Sequence, residues 1–220
     1  MLKDILDWSE VWAPLIPLTI LLIRKNQPSY LKPVKYYVIF ALVINTIGNI
    51  IWDYKEVWNF PQWLQSNNFL YNFHSIVRLL LFTWFFILLK QPFLETIKKV
   101  VPVLFMVFVI VNFTFFEDFF YYWSFSGRLL SLATGILLLY CLQYYFFILT
   151  EENSPDSRPA SFWVVTGLSI YVVINFPIFL FYMAFLKQFE GFAINIWDVT
   201  NISYILFFLL IAKAFYGPKH

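Results

Sequence analysis

FLYNFHSIVRLLLFTWFFILL, residues 69–89, decides the fold. At about 1.5 Å per residue, a helix of this length reaches about 30 Å, the thickness of a bilayer core. The run is about twice the length of a membrane barrel strand and lacks the two-residue alternation such a strand needs. Lipid offers no partner to a bare peptide group, so the segment must satisfy its backbone internally and is expected to be helical.

Comparable apolar runs lie on both sides, over residues 10–23, 36–53, 100–116, 128–149, 161–186 and 193–214. The expected fold is therefore all-α, an integral membrane bundle of seven transmembrane helices forming a single domain over residues 1–220. Composition agrees: 61% of residues are hydrophobic and only 13% charged, with a mean hydropathy of +0.71, where soluble domains carry about 25% charge. The 28 Phe, 14 Tyr and 9 Trp imply many outward aromatic side chains, which lipid accepts and water does not. The start does not read as a cleavable signal. Lys3 is followed by Asp4, Asp7 and Glu10, and the run to Ile23 ends at Arg24-Lys25 without a small-residue cleavage site. It reads as a first span, with Pro14 and Pro17 near its outer end. The span is short, so Trp8 and Trp12 should sit among the headgroups.

Basic residues set the orientation. Arg24, Lys25, Lys32, Lys35, Lys90, Lys98, Lys99, Arg158, Lys213 and Lys219 fall on one side; Lys3, Lys55, Arg128 and Lys187 fall on the other. The richer side is expected to be cytoplasmic, which puts the N-terminus outside and the C-terminus inside. Trp8, Trp12, Trp52, Trp58, Trp63, Trp123 and Trp197 gather at the outer side, where segment 54–66 could lie flat as a cap. The longest inner connection, around 150–160, reads as a polar, turn-rich loop. No stretch has the length of a soluble output domain, so any signal would need a partner to carry it.

Within the spans, polar residues share faces. Asn45, Asn49 and Asp53 recur at intervals of four; Tyr71, His74, Ser75 and Arg78 form a second face, and Asn195, Asp198 and Asn201 a third. Asn175 stands beside Pro177, whose ring frees a carbonyl one turn earlier. Counted from the outer boundary, His74 and Asp198 come out level, with Arg78 and Asn201 one turn deeper. The expected ligand-binding set is Asn45, Asn49, Asp53, His74, Arg78, Asn175, Asp198 and Asn201, converging on a polar pocket in the outer half.

Arg78 is the strongest signal. A guanidinium near mid-bilayer costs at least about 2.5 kcal/mol, so it should face inward and be paired. Asp198 is the expected partner, with Asp53 a shallower alternative; the pair could be a structural lock or a ligand anchor. His74 could be a proton-sensitive switch or a neutral imidazole donating to a neighbouring carboxylate or carbonyl. Arg128 reads as a snorkelling interface residue, and Glu117 and Asp118 as solvated loop acids. Gly127, Ser131 and Gly135 form a small-residue stripe that admits another helix, from within the bundle or from a second copy. Cys141 reads as a buried apolar residue.

Two His, one of them His220, are too few for a bis-histidine haem or a His-rich metal site. No phosphate loop, nucleophile elbow, HExxH or di-iron carboxylate repeat occurs. No catalytic residue, cofactor, metal or nucleic-acid partner is therefore expected. Lys213 lies near the inner end of the last span and not at mid-membrane, which argues against a retinal Schiff base. Pro61-Gln62 lies in an outer loop, which argues against a PQ-loop sugar carrier.

The segments NNFLYNFHSIVRLLLFTWFF (67–86), FWVVTGLSIYVVINFPIFLF (162–181) and NISYILFFLLIAKAFYG (201–217) resemble small uncharacterised seven-helix bacterial membrane proteins. The resemblance implies a bacterial inner (cytoplasmic) membrane and seven helices, and carries no activity. The expected partners are the lipid bilayer, a small-molecule ligand, and a protein partner in the membrane or cytoplasm. The functional expectation is a receptor-like or sensory module with an outward-facing polar pocket. The alternative is a carrier, or an accessory or structural subunit of a transport or respiratory complex. An intramembrane enzyme acting on lipid has the fewest residues behind it. The inner halves of two spans, LLLFTWFFILL and ILFFLLIA, are apolar, which favours a pocket closed on one side.

Overall fold

The computed structural model describes residues 2–91, 95–150, 159–188 and 190–217. Helices α1 (Leu2–Asp7), α2 (Ser9–Ile23), α3 (Lys32–Tyr54), α4 (Asn68–Leu88), α5 (Glu95–Phe115), α6 (Gly127–Thr150), α7 (Ala160–Gln188) and α8 (Glu190–Tyr216) follow in order, with no strand among the described residues. Six of them, α3 to α8, are long and apolar enough to cross a membrane by length and composition, and α2 is apolar but shorter. The part of the polar inner connection at 151–158 lies outside the described residues, as do Lys219 and His220.

The apolar runs and the helices coincide closely. The main departure is α5, which starts at Glu95, so Lys98 and Lys99 stand on its first turns and not in a loop. Lys32 and Lys35 likewise sit on the first turn of α3, with Pro33 at a position where a missing N–H costs nothing.

Six helices close into a ring. Going round it, α2 packs on α3, α3 on α4, α4 on α6, α6 on α7, α7 on α8, and α8 returns to α2. Helix α5 stands outside this ring against α4. Its apolar stretch is only 22% buried, the lowest of the long helices, and Val103, Leu104, Val107 and Ile110 point outward. Such a surface suits lipid. The short α2 completes the ring despite its length, wedged between α3 and α8.

Close approach depends on small residues. A methyl on Gly127 would come 3.2 Å from the Phe179 carbonyl and one on Gly135 3.2 Å from the Phe176 ring, so α7 lies on the Gly127–Gly135 stripe and the stripe serves internal packing. The tightest contact joins α7 to α8, where a methyl on Gly167 would lie 3.0 Å from Leu210 Cβ and 3.1 Å from the Phe207 carbonyl. Cys141 is buried in the same core.

Gly167→Ala should therefore force α7 and α8 apart and cost about 1–3 kcal/mol, the usual range for overpacking. Thermal unfolding in detergent would read this as a lowered Tm. Gly191→Ala is the control, because its added methyl meets nothing within 4 Å; equal Tm losses in the two variants would contradict the account.

Candidate functional site

The ring interior holds a polar cluster built from α2, α3, α4, α7 and α8. It begins at a backbone consequence of Pro14. Lacking an N–H, Pro14 leaves the Glu10 carbonyl without its helical partner. Asn45 of α3 supplies one: its Nδ2 donates to Glu10 O at 2.9 Å and to Tyr204 Oη at 2.7 Å. One amide thus ties α2, α3 and α8 together. The Glu10 side chain is held from a fourth helix, with Tyr71 Oη of α4 donating to Glu10 Oε2 at 3.0 Å.

Arg78 is buried, at 4% exposure. Its Nη1 donates to Tyr171 Oη of α7 at 2.5 Å, and its guanidinium lies 4.8 Å from the centroid of the same ring. No carboxylate comes within 4.0 Å of it among the described residues. His74, one turn earlier, is buried with Nε2 3.2 Å from Tyr37 Oη. Asn175, fully buried, donates Nδ2 to the Tyr171 carbonyl and to Ser203 Oγ, both at 2.8 Å.

Two small cavities open within this cluster. The larger, about 20 Å³, is large enough for one water molecule and is bordered by Glu10, His74, Ser75, Arg78, Tyr171 and Thr200, among others. The smaller, about 10 Å³, is bordered by Asn45, Gly48, Asn67 and Leu70. Glu10, Tyr71 and His74 belong to both walls, so the hydrogen-bonded pair Tyr71–Glu10 borders each cavity. Among the described residues, three buried polar atoms of side chains that border the larger cavity have no hydrogen-bond partner: Ser75 Oγ, Arg78 Nε and Thr200 Oγ1. Asn175 Oδ1 and Asn201 Oδ1 are also without one.

Beneath the cluster, toward the side predicted to be inner, aromatic rings close the ring's interior. Tyr37 packs edge-on to Phe82 at 4.9 Å and stacks on Phe208 at 6.0 Å. Phe82 meets Phe207 at 5.7 Å. All four are at most 1% exposed. No cluster of three or more His, Cys, Asp or Glu side chains able to hold a metal occurs among the described residues.

The structure brings Asn45, His74 and Arg78 to the cavities and buries Asn175 and Asn201 nearby. It leaves Asn49 and Asp198 half-buried and Asp53 exposed, none of them on either cavity wall. The expected pairing of Arg78 with Asp198 or Asp53 is not what forms. The reason is register. Tyr71 meets Trp197 at 5.6 Å, so Asp198 stands level with Tyr71, and Arg78 lies about 10 Å further along α4. Asp53 lies about 12 Å beyond Asn45 on α3 by the same rise. The acid that does share the cavity with Arg78 is Glu10, which the sequence shows only as one of the acids following Lys3, at the first position of the first span. An acidic residue at the edge of an apolar run, four before a proline, was the available signal. The tyrosines Tyr37, Tyr171 and Tyr204 were hidden among the many aromatic residues of the spans.

Loop 116–126 roofs the cluster and is fastened to α4. Asn68 Nδ2 donates to the Tyr122 carbonyl at 2.8 Å, Asn72 Nδ2 to the Phe119 carbonyl at 3.0 Å, and Ser126 N–H to Asn72 Oδ1 at 2.8 Å. Glu117 is not the solvated acid expected. It accepts from Asn112 Nδ2 at 2.9 Å and from Ser126 Oγ, and it faces Arg128 Nε at 3.6 Å. The Arg128 side chain, 61% exposed, is thus paired as well as interfacial.

The chain matches no protein family, no curated protein and no solved structure in comparisons with each.

Tyr171→Phe should cost about 1.5–3 kcal/mol, because it removes the hydroxyl that accepts from a buried charged donor. Asp198→Asn should stay within about 0.5 kcal/mol, and the loss in Arg78→Leu should not be rescued by it. Thermal unfolding of the single and double variants in detergent checks both; rescue by Asp198→Asn would reinstate the ion pair.

Proposed function

We propose that the chain is a receptor-like or sensory module of a bacterial inner membrane, with α2 and the six long helices all crossing the bilayer. The N-terminus lies outside and the C-terminus inside. A small ligand enters the ring from the outer side and presents an anionic or amide group to Arg78. A protein partner in the membrane or cytoplasm takes up the response.

One observation carries this reading: a buried guanidinium bordering a cavity keeps an Nε without a partner among the described residues, and two side chains bordering the same cavity keep unpartnered hydroxyls. Intramembrane charge is expensive and is ordinarily satisfied in full, so donors left open mark a place for something else. The floor of Tyr37, Phe82, Phe207 and Phe208 favours a receptor over a carrier, because a carrier needs a polar path through the inner half. The basic residues flanking α2, α3 and α5 support the orientation.

Single cysteines placed in a Cys141→Ser background test topology and access together. In intact cells, silver ion, a charged thiol reagent small enough for a one-water space, should modify Glu56→Cys and Ser75→Cys. It should reach Lys25→Cys only after permeabilisation, and Phe82→Cys from neither side. Modification of Phe82→Cys from the inner side would replace the receptor with a carrier. Protection of Ser75→Cys from the outer side would remove the outward pocket.

A further inference from the structure

We propose that the ligand of this cavity is a small zwitterion, an amino acid of about glycine size, bound with its carboxylate at Arg78 and its ammonium at Glu10. The inference rests on the reading of the cavity as a binding site and adds the chemical class of what it takes.

The argument is one of charge matching. The cavity wall carries one guanidinium and one carboxylate, and they do not pair directly. At the Arg78 end the unpartnered groups are a guanidinium N–H and the hydroxyls Ser75 Oγ and Thr200 Oγ1, which suits them to a carboxylate. At the Glu10 end one carboxylate oxygen accepts from Tyr71, and the rings of Tyr71, Trp197 and Tyr204 border the space around it. A carboxylate among aromatic faces suits an ammonium group. A plain anion would meet Arg78 but also bring a second negative charge into a low-dielectric cavity beside Glu10, and a plain cation would do the converse at Arg78. A ligand with both charges leaves the interior neutral and also sets an opposite charge against each of the two groups, so neither stays buried and unpaired.

Size sets the upper limit. The larger cavity is about 20 Å³ and the smaller about 10 Å³, both bordered by Glu10 and Tyr71. Even glycine exceeds a one-water space, so binding requires Tyr71 Oη to leave Glu10 Oε2 and join the two cavities. The ligand ammonium then takes the place of the Tyr71 hydroxyl at the carboxylate. Long side chains are excluded by the aromatic floor and by Leu130 and Phe179 on the wall.

The test uses the full chain in lipid nanodiscs with tritiated glycine as the probe, and acetate and methylammonium as single-charge competitors. Glycine should bind saturably, and each competitor should displace it only at concentrations at least ten-fold higher than unlabelled glycine needs. Glu10→Gln, which preserves shape and hydrogen bonding, should weaken glycine at least ten-fold and leave displacement by acetate less affected. Tyr71→Phe, which removes the bond the ligand must break, should speed association several-fold. Acetate displacing as well as glycine would make the site an anion site, overturning the zwitterion while leaving the outward pocket in place. Absence of saturable glycine binding would overturn the inference too, and the cysteine labelling would report independently whether the pocket itself exists. Unchanged glycine affinity in Glu10→Gln would remove the carboxylate from the site.

Discussion

A guanidinium inside a ring of apolar helices is the constraint on which the rest of the arrangement turns. Arg78 cannot be left in lipid, and no carboxylate among the described residues comes within 4.0 Å of it, so its charge is spread over a tyrosine hydroxyl at 2.5 Å and the face of the same ring. That solution fixes the rotation of α4, which must aim Arg78 inward, and of α7, which must bring Tyr171 to meet it. Tyr171 is itself held from behind: it stacks on Phe207 at 5.6 Å, and its backbone carbonyl accepts from Asn175. The packing of α7 on α8 through Gly167 is therefore also what positions the partner of the buried charge.

The short helix α2 has a role that its length conceals. Two prolines weaken it as a helix, yet Pro14 releases the Glu10 carbonyl just where Asn45 can reach it. The same Asn45 amide reaches Tyr204, so a local defect becomes the joint among three helices. Through Glu10, α2 also delivers the only carboxylate, among the described residues, on the wall of the cavity that holds Arg78. A helix too short to be an ordinary span is in this way part of both the ring and the site.

The asymmetry between the two ends of the ring supports the proposed function. Both cavities and the polar side chains that border them occupy one end, and close-packed aromatic rings fill the middle. Polar groups are expensive in such an interior and aromatic packing is not. A bundle selected for stability alone would have little use for Ser75 and Thr200 without partners. A bundle that must hold a ligand from one side, and stay shut on the other, would use both features.

The all-helical class, the helix limits to within a few residues, the small-residue stripe that receives α7, and the importance of Arg78 can all be read from the amino-acid sequence. These follow from local physics: apolar run length, proline and glycine positions, and the cost of charge in lipid. It also marked Asn45, His74, Asn175 and Asn201 as inward-facing, because spacing along one helix decides which residues share a face. What Arg78 touches emerges only once the helices are packed. Depth counted from each helix end assumes that all helices start at one plane, and they do not: Trp197 stands level with Tyr71, which lifts Asp198 about two turns above Arg78. Partnership between helices depends on their relative axial shift, which arises from close packing at contacts such as Gly167 against Leu210 and has no signature within either helix alone.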